Sequence, residues 1–306
     1  MDTTSQKRDT IIDMDKQLSL IVLTYNSEKD IFDCLASAYQ YNDIGEALEI
    51  IVVDNNSKDW CTTESQIKEK FPNVITISNP TNGGYGQGNN VGIRASSAPI
   101  VSIMNPDVRL LMPVFGAFFK TLSDPDVVMC GGKQYSTLNE ANPSYYYDFS
   151  QIGFLQSIGR VIAHKLDLYD YKRMWLQGAF FAIKKNIFES IGLFDEDIFM
   201  YAEEFDIHLR LRQYYPHMRM VYLPNSKYLH LTKNRPFDEN SFIRQIQSDI
   251  YVCKKHSISP KKFLLYLKNC YQYGHLMGVL LGRSTDVGEK VYQNCISILN
   301  SFQSHA

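Results

Sequence analysis

The sequence predicts an α/β fold in which helices cover a parallel β-sheet. The first half of the 306-residue chain contains four short apolar runs, and segments with helical spacing lie between them. Polar clusters follow three of these runs, at the carboxyl edge of such a sheet, where ligands bind. The length fits one large domain or two closely joined lobes.

The four apolar runs are nearly continuous in Val, Ile and Leu, as expected of strands buried on both faces of a sheet. The predicted strands are LSLIVLTY (18–25), ALEIIVVD (47–54), NVITISN (73–79) and PIVSIMN (99–105). Between the first two runs, Ile31, Leu35 and Ala38 recur at helical spacing and predict a helix with one apolar side.

The polar clusters that follow the strands are candidate ligand-binding positions. They are Thr24-Tyr25-Asn26, Asp54-Asn55-Asn56 and Asn105-Pro106-Asp107. Because Asn, Asp and Ser also cap helices at strand-to-helix turns, each cluster taken alone has a structural explanation as well.

The glycine-rich segment NPTNGGYGQGNNVGI (79–93) predicts a loop that approaches a nucleotide and leads into a helix. It matches neither the dinucleotide-binding fingerprint nor a P-loop. Glycine content alone is therefore a weak indication of a nucleotide site.

Two later segments are rich in aromatic residues. NEANPSYYYDFSQ (139–151) predicts a loop whose tyrosines suit a flat ligand or a partner. WLQGAFFAIKK (175–185) predicts a strand in which Gly178-Ala179 lets a ligand come close.

Three helices are predicted after residue 236: FDENSFIRQIQSDIYVCKKH, the segment 261–283, and a last helix near 286–303. Polar residues interrupt the segment 261–283 too often for a membrane-spanning helix. It has two interpretations, a packing helix or an interfacial helix that touches a membrane or a partner chain.

The composition argues against several classes of protein. Lys and Arg total 31 against 33 Asp and Glu, so the chain lacks the basic field with which nucleic-acid-binding proteins collect phosphates. The six cysteines show no C-x-x-C spacing and are expected to be free thiols in a reducing cytosol. Residues 1–16 predict a flexible polar arm rather than a secretory signal or an anchor.

The segment FMYAEEFDIHLRLRQYY (199–215) places three carboxylates within four positions beside aromatic residues. It predicts a helix that begins near Ala202. On that helix, Ala202, Phe205 and Leu209 form an apolar stripe that faces the core.

The three carboxylates of this helix fall into different sectors. Glu203 and Asp206 share a sector with Arg210, and Asp206 and Arg210 have the spacing of a favourable ion pair. Glu204 lies in a third sector, with apolar neighbours and no helical partner of opposite fixed charge. Such surroundings raise the pKa of a carboxyl, which suits a general base. A solvated helix N-terminus, favoured by the helix dipole, would also explain all three acids.

Six motifs occur in the order and spacing of one enzyme family. They are LSLIVLTYN, EIIVVDNNS, NGGYGQGNNVGI, MNPDV, WLQGAFFAIKKNIFESIGLFDEDIFMYAEEFDIHLRLR and YLHL. Over about residues 17 to 232 the chain resembles the inverting glycosyltransferases of family two, and more closely their bacterial rhamnosyltransferase branch. The resemblance implies the GT-A fold, a Rossmann-like mixed sheet with flanking helices, here followed by a helical C-terminal region.

The resemblance also implies a division of the chain. After the flexible arm at 1–16, residues 17–107 are expected to form the nucleotide-sugar-binding half. Residues 108–235 are expected to form the acceptor-binding and catalytic half, and residues 236–306 the helical C-terminal region.

An inverting transfer needs a base for the acceptor hydroxyl and a cation for the leaving nucleoside diphosphate. The family holds a divalent metal with a D-x-D motif after the fourth strand, and here that motif reads NPD (105–107). Asp107 is then the charged ligand, Asn105 offers an amide oxygen, and hard oxygen ligands suit Mg²⁺ or Mn²⁺. His230 matches a metal-binding position of many relatives, and a histidine that simply ends a strand explains it equally well.

The resemblance carries over further roles residue by residue. The predicted base is Glu204, the second acid of the family's E-D-x-D type motif. A tyrosine ring such as Tyr25 can stack on a pyrimidine, and a carboxylate such as Asp54 can accept the N3–H of uracil or thymine. The predicted donor-binding residues are Thr24, Tyr25, Asn26, Asp54, Asn82, Gly83, Asn89, Asn105 and Asp107. The predicted acceptor-side residues are Trp175, Gly178, Ala179, Glu203 and Asp206.

The implied reaction transfers L-rhamnose from dTDP-L-rhamnose to a saccharide or polyprenyl-diphosphate-linked acceptor of a bacterial surface polysaccharide. UDP-galactose, UDP-galactofuranose and UDP-N-acetylglucosamine are alternative donors, and a non-catalytic nucleotide-sugar-binding subunit is the alternative outside enzymes. Lys233 and Arg235 are further candidates for neutralising the pyrophosphate. The expected location is the cytoplasm, with the helix at 261–283 as a contact to the inner face of the plasma membrane or as a homodimer interface.

Overall fold

The chain forms a mixed β-sheet with helices on both faces, followed by three C-terminal helices. The computed structural model describes residues 16–147, 163–231, 237–280, 282 and 285–305. Almost all of the predicted N-terminal arm therefore lies outside the described residues.

Nine strands of the described chain form the main sheet, and β8 and β9 form a separate pair. The strands are β1 (Leu18–Thr24), β2 (Leu48–Asp54), β3 (Ile75–Ser78), β4 (Ile100–Met104), β5 (Val108–Leu110), β6 (Val127–Thr137), β7 (Glu140–Ala141), β8 (Tyr145–Tyr147), β9 (Met174–Leu176), β10 (Phe180–Lys184) and β11 (Arg219–His230). The helices are α1 (Glu28–Gln40), α2 (Trp60–Lys70), α3 (Gly84–Ala95), α4 (Phe115–Leu122), α5 (Lys185–Ser190), α6 (Glu203–Tyr214), α7 (Glu239–Lys255), α8 (Pro260–Leu280) and α9 (Asp286–His305).

The four strands predicted in the first half are confirmed, and they lie parallel in the order β3, β2, β1, β4. Successive residues of β1 pack on opposite faces. Leu20 and Val22 contact a core that includes Ile31 of α1, whereas Ile21 belongs to a second core that includes Ile93 of α3. Because both faces are covered, these strands are apolar at nearly every position.

The second half makes the sheet mixed, as the resemblance implies. Strand β10 lies antiparallel between β4 and β6, and β11 runs parallel to β6 and antiparallel to β5. The single strand predicted at 175–185 is in fact two: β9 pairs with β8, β10 joins the main sheet, and Gly178 lies in the break. Residues 145–147, predicted as loop, form β8, and residues 148–151 lie outside the described chain.

Most glycines of the predicted nucleotide loop lie inside α3 instead. Their missing side chains let this helix approach the sheet: a Cβ at Gly88 would lie 2.5 Å from Leu23 Cδ1, and one at Gly92 would lie 2.6 Å from Ile21 Cγ2. Gly84 has a left-handed φ of +94°, and a Cβ there would collide with the backbone of Phe199.

The three C-terminal helices share a core of their own, which includes Phe242, Ile246, Phe263, Leu264 and Leu299. Val252 of α7 joins them to the rest of the protein, because it packs against Ala202 and Phe205 at the start of α6. The predicted apolar stripe of α6 therefore faces α7.

Asp206 is fully buried where α6 meets α7. Its carboxylate accepts a hydrogen bond from Arg210 Nε at 2.8 Å and lies 2.8 Å from both Lys255 Nζ and His256 Nε2. Burial disfavours the charged form, yet the hydrogen bond from His256 and the charge of Arg210 outweigh it and lower the pKa of Asp206 to about 2. The predicted ion pair with Arg210 is confirmed, and the acceptor-side role of Asp206 stays a prediction.

The outer surface of α8 exposes four large apolar side chains, those of Leu265, Leu276, Val279 and Leu280. None of the helices within the described ranges combines the length and the apolar character needed to cross a membrane. The other side of α8 packs on α7 and α9. Contact of the exposed side with a membrane or a partner stays a prediction. All six cysteines are free thiols, as predicted.

Candidate active site

A cavity of about 1060 Å³ lies at the carboxyl ends of the parallel strands. The polar clusters that follow β1, β2 and β4 contribute Tyr25, Asn55 and Asp107 to its wall. Another part of the wall is the start of α6, with Glu203 and Glu204, and the cavity continues along the C-terminal helices. The fold thus brings together polar residues that are far apart in the sequence.

Asp107 and His230 form a pair of potential metal ligands in this wall. Strand pairing brings them together, because Val108 of β5 is in register with His230 of β11 and Leu231 N–H donates to the Asp107 carbonyl at 3.1 Å. His230 Nε2 lies 3.4 Å from Asp107 Oδ1. Both residues are more than nine-tenths buried.

Gln134 fixes the orientation of the His230 ring. Gln134 Oε1 lies 3.1 Å from His230 Nδ1 and accepts a hydrogen bond from Tyr228 OH at 3.3 Å. Because an amide oxygen only accepts, this contact places a proton on His230 Nδ1, and Nε2 is the ring nitrogen that lies toward Asp107. Metal-binding histidines are typically oriented in this way by an outer hydrogen bond.

The Asp107 and His230 pair fits a divalent cation. A carboxylate oxygen and an imidazole nitrogen at this separation can be neighbouring ligands of one ion. Among the residues that the structure describes, no group of three His, Cys, Asp or Glu side chains could hold a metal. Mg²⁺ commonly takes only one or two protein carboxylates and completes its shell with substrate phosphates and water.

The backbone between β9 and β10 holds the side chain of Glu204. Gly178 N–H donates to Glu204 Oε1 at 2.9 Å, and Tyr85 OH lies 3.1 Å from the Gly178 carbonyl. His208 links strand β9 to helix α6. Its Nε2 accepts a hydrogen bond from Leu176 N–H at 3.0 Å, and its Nδ1 lies 2.6 Å from the Glu204 carbonyl oxygen. The carboxylate predicted as the base is therefore anchored by both strand and helix.

Three carboxyl groups of the cavity wall, those of Glu203, Glu204 and Asp249, influence one another electrostatically. Burial raises the pKa of Glu204. Burial and the adjacent Glu204 charge raise the pKa of Glu203 well above its usual range, and the same two causes raise the pKa of Asp249 to about 8. The hydrogen bond from Gly178 N–H opposes this rise at Glu204, because it stabilises the ionised carboxylate that can accept a proton.

The backbone that leads into α6 is strained. Tyr201 has a φ of +73° and Ala202 a φ of +66°, so two consecutive residues other than glycine are left-handed. Such conformations cost energy and cluster at functional sites. They place Glu203 and Glu204 in the first turn of the helix, where the helix dipole favours carboxylates. The helix predicted to begin near Ala202 begins at Glu203.

Gly178→Ala is expected to displace the Glu204 carboxylate and to lower kcat about 100-fold. A Cβ at position 178 would collide with Cγ and the carboxyl group of Glu204. The measurement is kcat at saturating substrates, together with the unfolding temperature.

Gly131→Ala is the matched control for this substitution. A Cβ at Gly131, in the neighbouring strand β6, would lie 3.4 Å from Leu176 Cδ1, which is an ordinary contact. An equal loss of kcat in both variants would show that the effect is not specific to Glu204.

Tyr25 and Asp54, at the ends of β1 and β2, were predicted to bind the pyrimidine base of the donor. Tyr25 is half exposed at the cavity and can stack on a base. Asp54 is buried, and its Oδ2 accepts from Ser57 N–H at 2.9 Å. Asp54 Oδ1 has no hydrogen-bond partner in the described structure, but Asp54 is not part of the described cavity wall, so its contact with the N3–H of thymine or uracil stays a prediction.

An amide network anchors the start of α3. Asn55 Nδ2 donates to Asn82 Oδ1 at 2.8 Å and to the Gly84 carbonyl at 3.1 Å. Asn82 Oδ1 also accepts from Gly84 N–H at 3.1 Å, and Asn79 Nδ2 donates to Asn55 Oδ1 at 2.7 Å. The network fixes the loop that brings Asn82 to the cavity.

The structure brings most of the predicted site residues to one cavity. Its wall includes Tyr25, Asn82, Asn105, Asp107, Trp175, Gly178, Ala179, Glu203, Glu204 and His230. Within that wall, the Asn105 amide oxygen accepts a hydrogen bond from Tyr85 OH at 3.0 Å. The described wall does not include Thr24, Asn26, Asp54, Gly83, Asn89 and Asp206.

Two of these outer residues have local structural roles. Asn26 N–H donates to Ser57 Oγ at 2.7 Å, which holds the turn after β1. Asn89 Nδ2 donates to the Tyr85 carbonyl at 3.0 Å. Lys233 and Arg235, the candidates for neutralising the pyrophosphate, lie outside the described residues.

Four residues of the site were not predicted from the sequence: Tyr85, Gln134, His208 and Asp249. The burial of Asp249 could have been predicted from the sequence, because Asp249 follows Phe242 and Ile246 at helical spacing on the apolar side of α7. The other three act through contacts between distant parts of the chain, such as Gln134 with His230, and they have no local signature.

Comparison with known proteins agrees with this architecture. The model of glycosyltransferase family 2 matches residues 19–209. The low-salt glycan biosynthesis hexosyltransferase Agl10 of Haloferax volcanii is 26% identical over 257 residues, which are 79% of this chain and 74% of that protein. The rhamnosyltransferase WbbL of Escherichia coli is 24% identical over 266 residues, which are 79% of this chain and 96% of that protein.

A solved structure shares the fold. The mannosyltransferase PcManGT from Pyrobaculum calidifontis, in complex with GDP-Man and Mn²⁺, superposes with a TM-score of 0.59 at 17% identity, over 96% of this chain and 77% of that one. The protein therefore has the GT-A fold. The chain belongs to glycosyltransferase family 2. The family and the fold predicted from the sequence are confirmed.

Proposed function

We propose that the protein is an inverting rhamnosyltransferase. It transfers L-rhamnose from dTDP-L-rhamnose to a hydroxyl of a saccharide or polyprenyl-diphosphate-linked saccharide of a bacterial surface polysaccharide. The observation that carries the catalytic part is that Glu204, Asp107 and His230 line one cavity. The choice of sugar is supported by similarity to a rhamnosyltransferase over 96% of that protein's length.

Glu204 is the base of the proposed reaction. The acceptor hydroxyl gives its proton to the Glu204 carboxylate while its oxygen attacks C1 of the donor sugar. The bond from C1 to the diphosphate oxygen breaks, its electron pair leaves with the nucleoside diphosphate, and the configuration at C1 inverts. Gly178 N–H holds the carboxylate during this step.

Asp107 and His230 are the residues that would hold the divalent cation, Mg²⁺ or Mn²⁺. When bound, the cation offsets the charge that develops on the leaving diphosphate. The described wall of the cavity carries several carboxylates and neither Lys nor Arg, and Lys233 and Arg235 lie outside the described residues. The mannosyltransferase of similar fold was solved with Mn²⁺, which supports the assignment.

Tyr25 and Asp54 are the proposed contacts of the nucleotide base. The unpaired Asp54 Oδ1 accepts N3–H from thymine and from uracil alike. UDP-sugars, with galactose, galactofuranose or N-acetylglucosamine, are therefore the second candidate donors.

A donor screen tests the proposal. The full chain with Mg²⁺ or Mn²⁺ is mixed separately with dTDP-L-rhamnose, UDP-galactose, UDP-N-acetylglucosamine and GDP-mannose, and its unfolding temperature is measured. A ligand at 100 times its Kd adds about 2.7 kcal/mol of stability, so the true donor is expected to give the largest rise. Transfer to a saccharide acceptor is followed by mass spectrometry, and the anomeric configuration of the product by NMR.

Each outcome of the screen has a consequence. The largest stabilisation with dTDP-L-rhamnose and an inverted product support the proposal. A larger rise with a UDP-sugar changes the donor, and retention at C1 contradicts the single displacement. Donor binding without any transfer would assign the chain to non-catalytic nucleotide-sugar-binding proteins.

A further inference from the structure

The cavity extends well beyond the residues of the proposed chemistry. Past Glu204 it continues between α7, α8 and α9 into a part that we call the C-terminal lobe, lined by Asp249, Tyr271, Gly274, His275, Gly278 and Tyr292. Small-molecule sites commonly enclose ~300–1,000 Å³. The full cavity, at about 1060 Å³, is therefore large enough to hold more than one small ligand.

Glycines keep the C-terminal lobe open. Gly274 and Gly278 lie one turn apart on α8, and a Cβ at either would meet no atom within 4 Å. Glycine is unfavourable inside a helix relative to alanine, and no close contact requires it at these two positions. The fold would accommodate side chains here, but those side chains would occupy the lobe.

Ring contacts preform the wall of the C-terminal lobe. His275 stacks on Tyr292 with ring centroids 4.0 Å apart and planes 5° apart, and His275 Nε2 lies 3.2 Å from Glu289 Oε2. Tyr271 packs edge-on against Phe242 at 5.6 Å. These contacts join α7, α8 and α9, so the rings are already in place before a ligand arrives.

Asp249 is an unpaired polar group in this wall. Its side chain lies on the buried side of α7, the residue is only 7% exposed, and it forms no hydrogen bond or ion pair within the described chain. Buried polar groups nearly always have a hydrogen-bond partner, so one is expected from a ligand. Because the pKa of Asp249 is raised to about 8, its carboxyl is mainly neutral at pH 7 and can both donate and accept, as sugar hydroxyls do.

We infer that the C-terminal lobe binds the saccharide part of the acceptor, beyond the sugar unit that carries the reacting hydroxyl. Asp249 hydrogen-bonds acceptor hydroxyls, and the rings of Tyr271 and Tyr292 contact the apolar faces of the sugar units. The inference rests on the proposed function, because it takes the hydroxyl beside Glu204 to be that of the acceptor.

The chemistry of the lobe favours a saccharide over a hydrocarbon chain. Tyrosine combines an apolar ring with a hydroxyl, which suits a sugar that has apolar faces and polar edges. Against a lipid tail, the Asp249 carboxyl would stay buried and unsatisfied, which is unfavourable. The described residues of the lobe include no Lys or Arg, so the diphosphate of a lipid-linked acceptor is expected to lie outside it.

Gly278→Phe tests the inference, because it fills the C-terminal lobe without removing a contact. The acceptor KM is expected to rise at least about tenfold for oligosaccharide acceptors. The donor KM, and the release of nucleoside diphosphate without acceptor, are expected to stay within about twofold. Leu276→Phe is the matched control, since it lies on the same helix, is half exposed and is not part of the cavity wall.

Tyr292 gives a second, independent test. Tyr292→Ala is expected to raise the acceptor KM about tenfold through loss of the ring, whereas Tyr292→Phe keeps the ring and is expected to restore most of the affinity. Equal losses in both variants would contradict a stacking role for this side chain.

A binding measurement separates this inference from the proposed function. Neutral oligosaccharides without lipid are titrated into the full wild-type chain and into Gly278→Phe, and binding is followed by saturation-transfer NMR. Binding to the wild type that is lost in Gly278→Phe, with donor-induced stabilisation intact, supports the lobe even if no transfer is found. Normal transfer together with unchanged oligosaccharide binding and acceptor KM in Gly278→Phe would overturn the lobe and leave the function standing.

A different ligand in the C-terminal lobe would give a different experimental result. A loss in Gly278→Phe that affects only lipid-linked acceptors would assign the lobe to the lipid chain. A change in oligomeric state would assign it to a second copy of the protein. No oligosaccharide binding to the wild type would also overturn the inference.

Discussion

Glu204→Gln is expected to lower kcat by about 10²–10⁴-fold while donor binding is preserved. Glutamine has nearly the same shape as glutamate, and its amide oxygen can still accept the hydrogen bond from Gly178 N–H. It cannot take a proton from the acceptor hydroxyl. The substitution therefore removes the base and leaves the surrounding geometry in place.

Two further variants make this result specific. Burial and the Glu204 charge raise the pKa of Glu203 well above its usual range, so a neutral glutamine at this position is expected to retain most of kcat. Glu189→Gln changes a half-exposed glutamate on α5 and is expected to have no effect. The measurements are kcat with saturating substrates and the donor-induced rise in unfolding temperature. A larger loss in Glu203→Gln than in Glu204→Gln would assign the base to Glu203.

The first half of the fold could be predicted because its signals are local. Each parallel strand is apolar at nearly every position, so the predicted strands match β1 to β4 within two residues. Most of helix α3 lies in the segment 79–93, which was predicted as a loop leading into a helix because glycine allows close backbone approach and positive φ angles. Packing decides otherwise, since Gly88 and Gly92 let the helix lie directly against Leu23 and Ile21.

The break after β9 shows why the rest could not be predicted. The run 175–185 is apolar enough for one strand, and nothing in it indicates an interruption. The interruption depends on Gly178, whose N–H donates to Glu204, 26 residues later in the chain. A contact between distant parts of the sequence leaves no periodic signal within either part.

Part of the candidate cavity wall could be predicted from the sequence, but the electrostatics of the site could not. The motifs located Glu204, Asp107 and His230, and the structure brings all three to one cavity. The apolar surroundings expected for Glu204 agree with the raised pKa of its carboxyl. Both carboxyls have raised pKa values, and the hydrogen bond from Gly178 N–H to Glu204 follows only from the folded positions of the two residues.

Asp107→Ala is expected to lower kcat/KM on the order of 10²–10³-fold, because it removes the only carboxylate of the proposed metal pair. The backbone contact from Leu231 N–H to the Asp107 carbonyl is retained, so the end of β11 is expected to stay in place. A readout independent of turnover is the stabilisation by dTDP with and without Mn²⁺. In the wild type Mn²⁺ is expected to increase it, and in Asp107→Ala it is not.

The effects of substituting Asp107 and His230 on activity are expected not to add. If Asp107 and His230 hold the same cation, the double variant with His230→Ala is expected to lose no more activity than the more damaging single variant. Independent structural roles would instead give effects that add. Asp33→Ala is the control, since the side chain of Asp33 is 76% exposed and is not part of the described cavity wall. Full activity of the wild type in EDTA would exclude the metal and leave Asp107 with a different role.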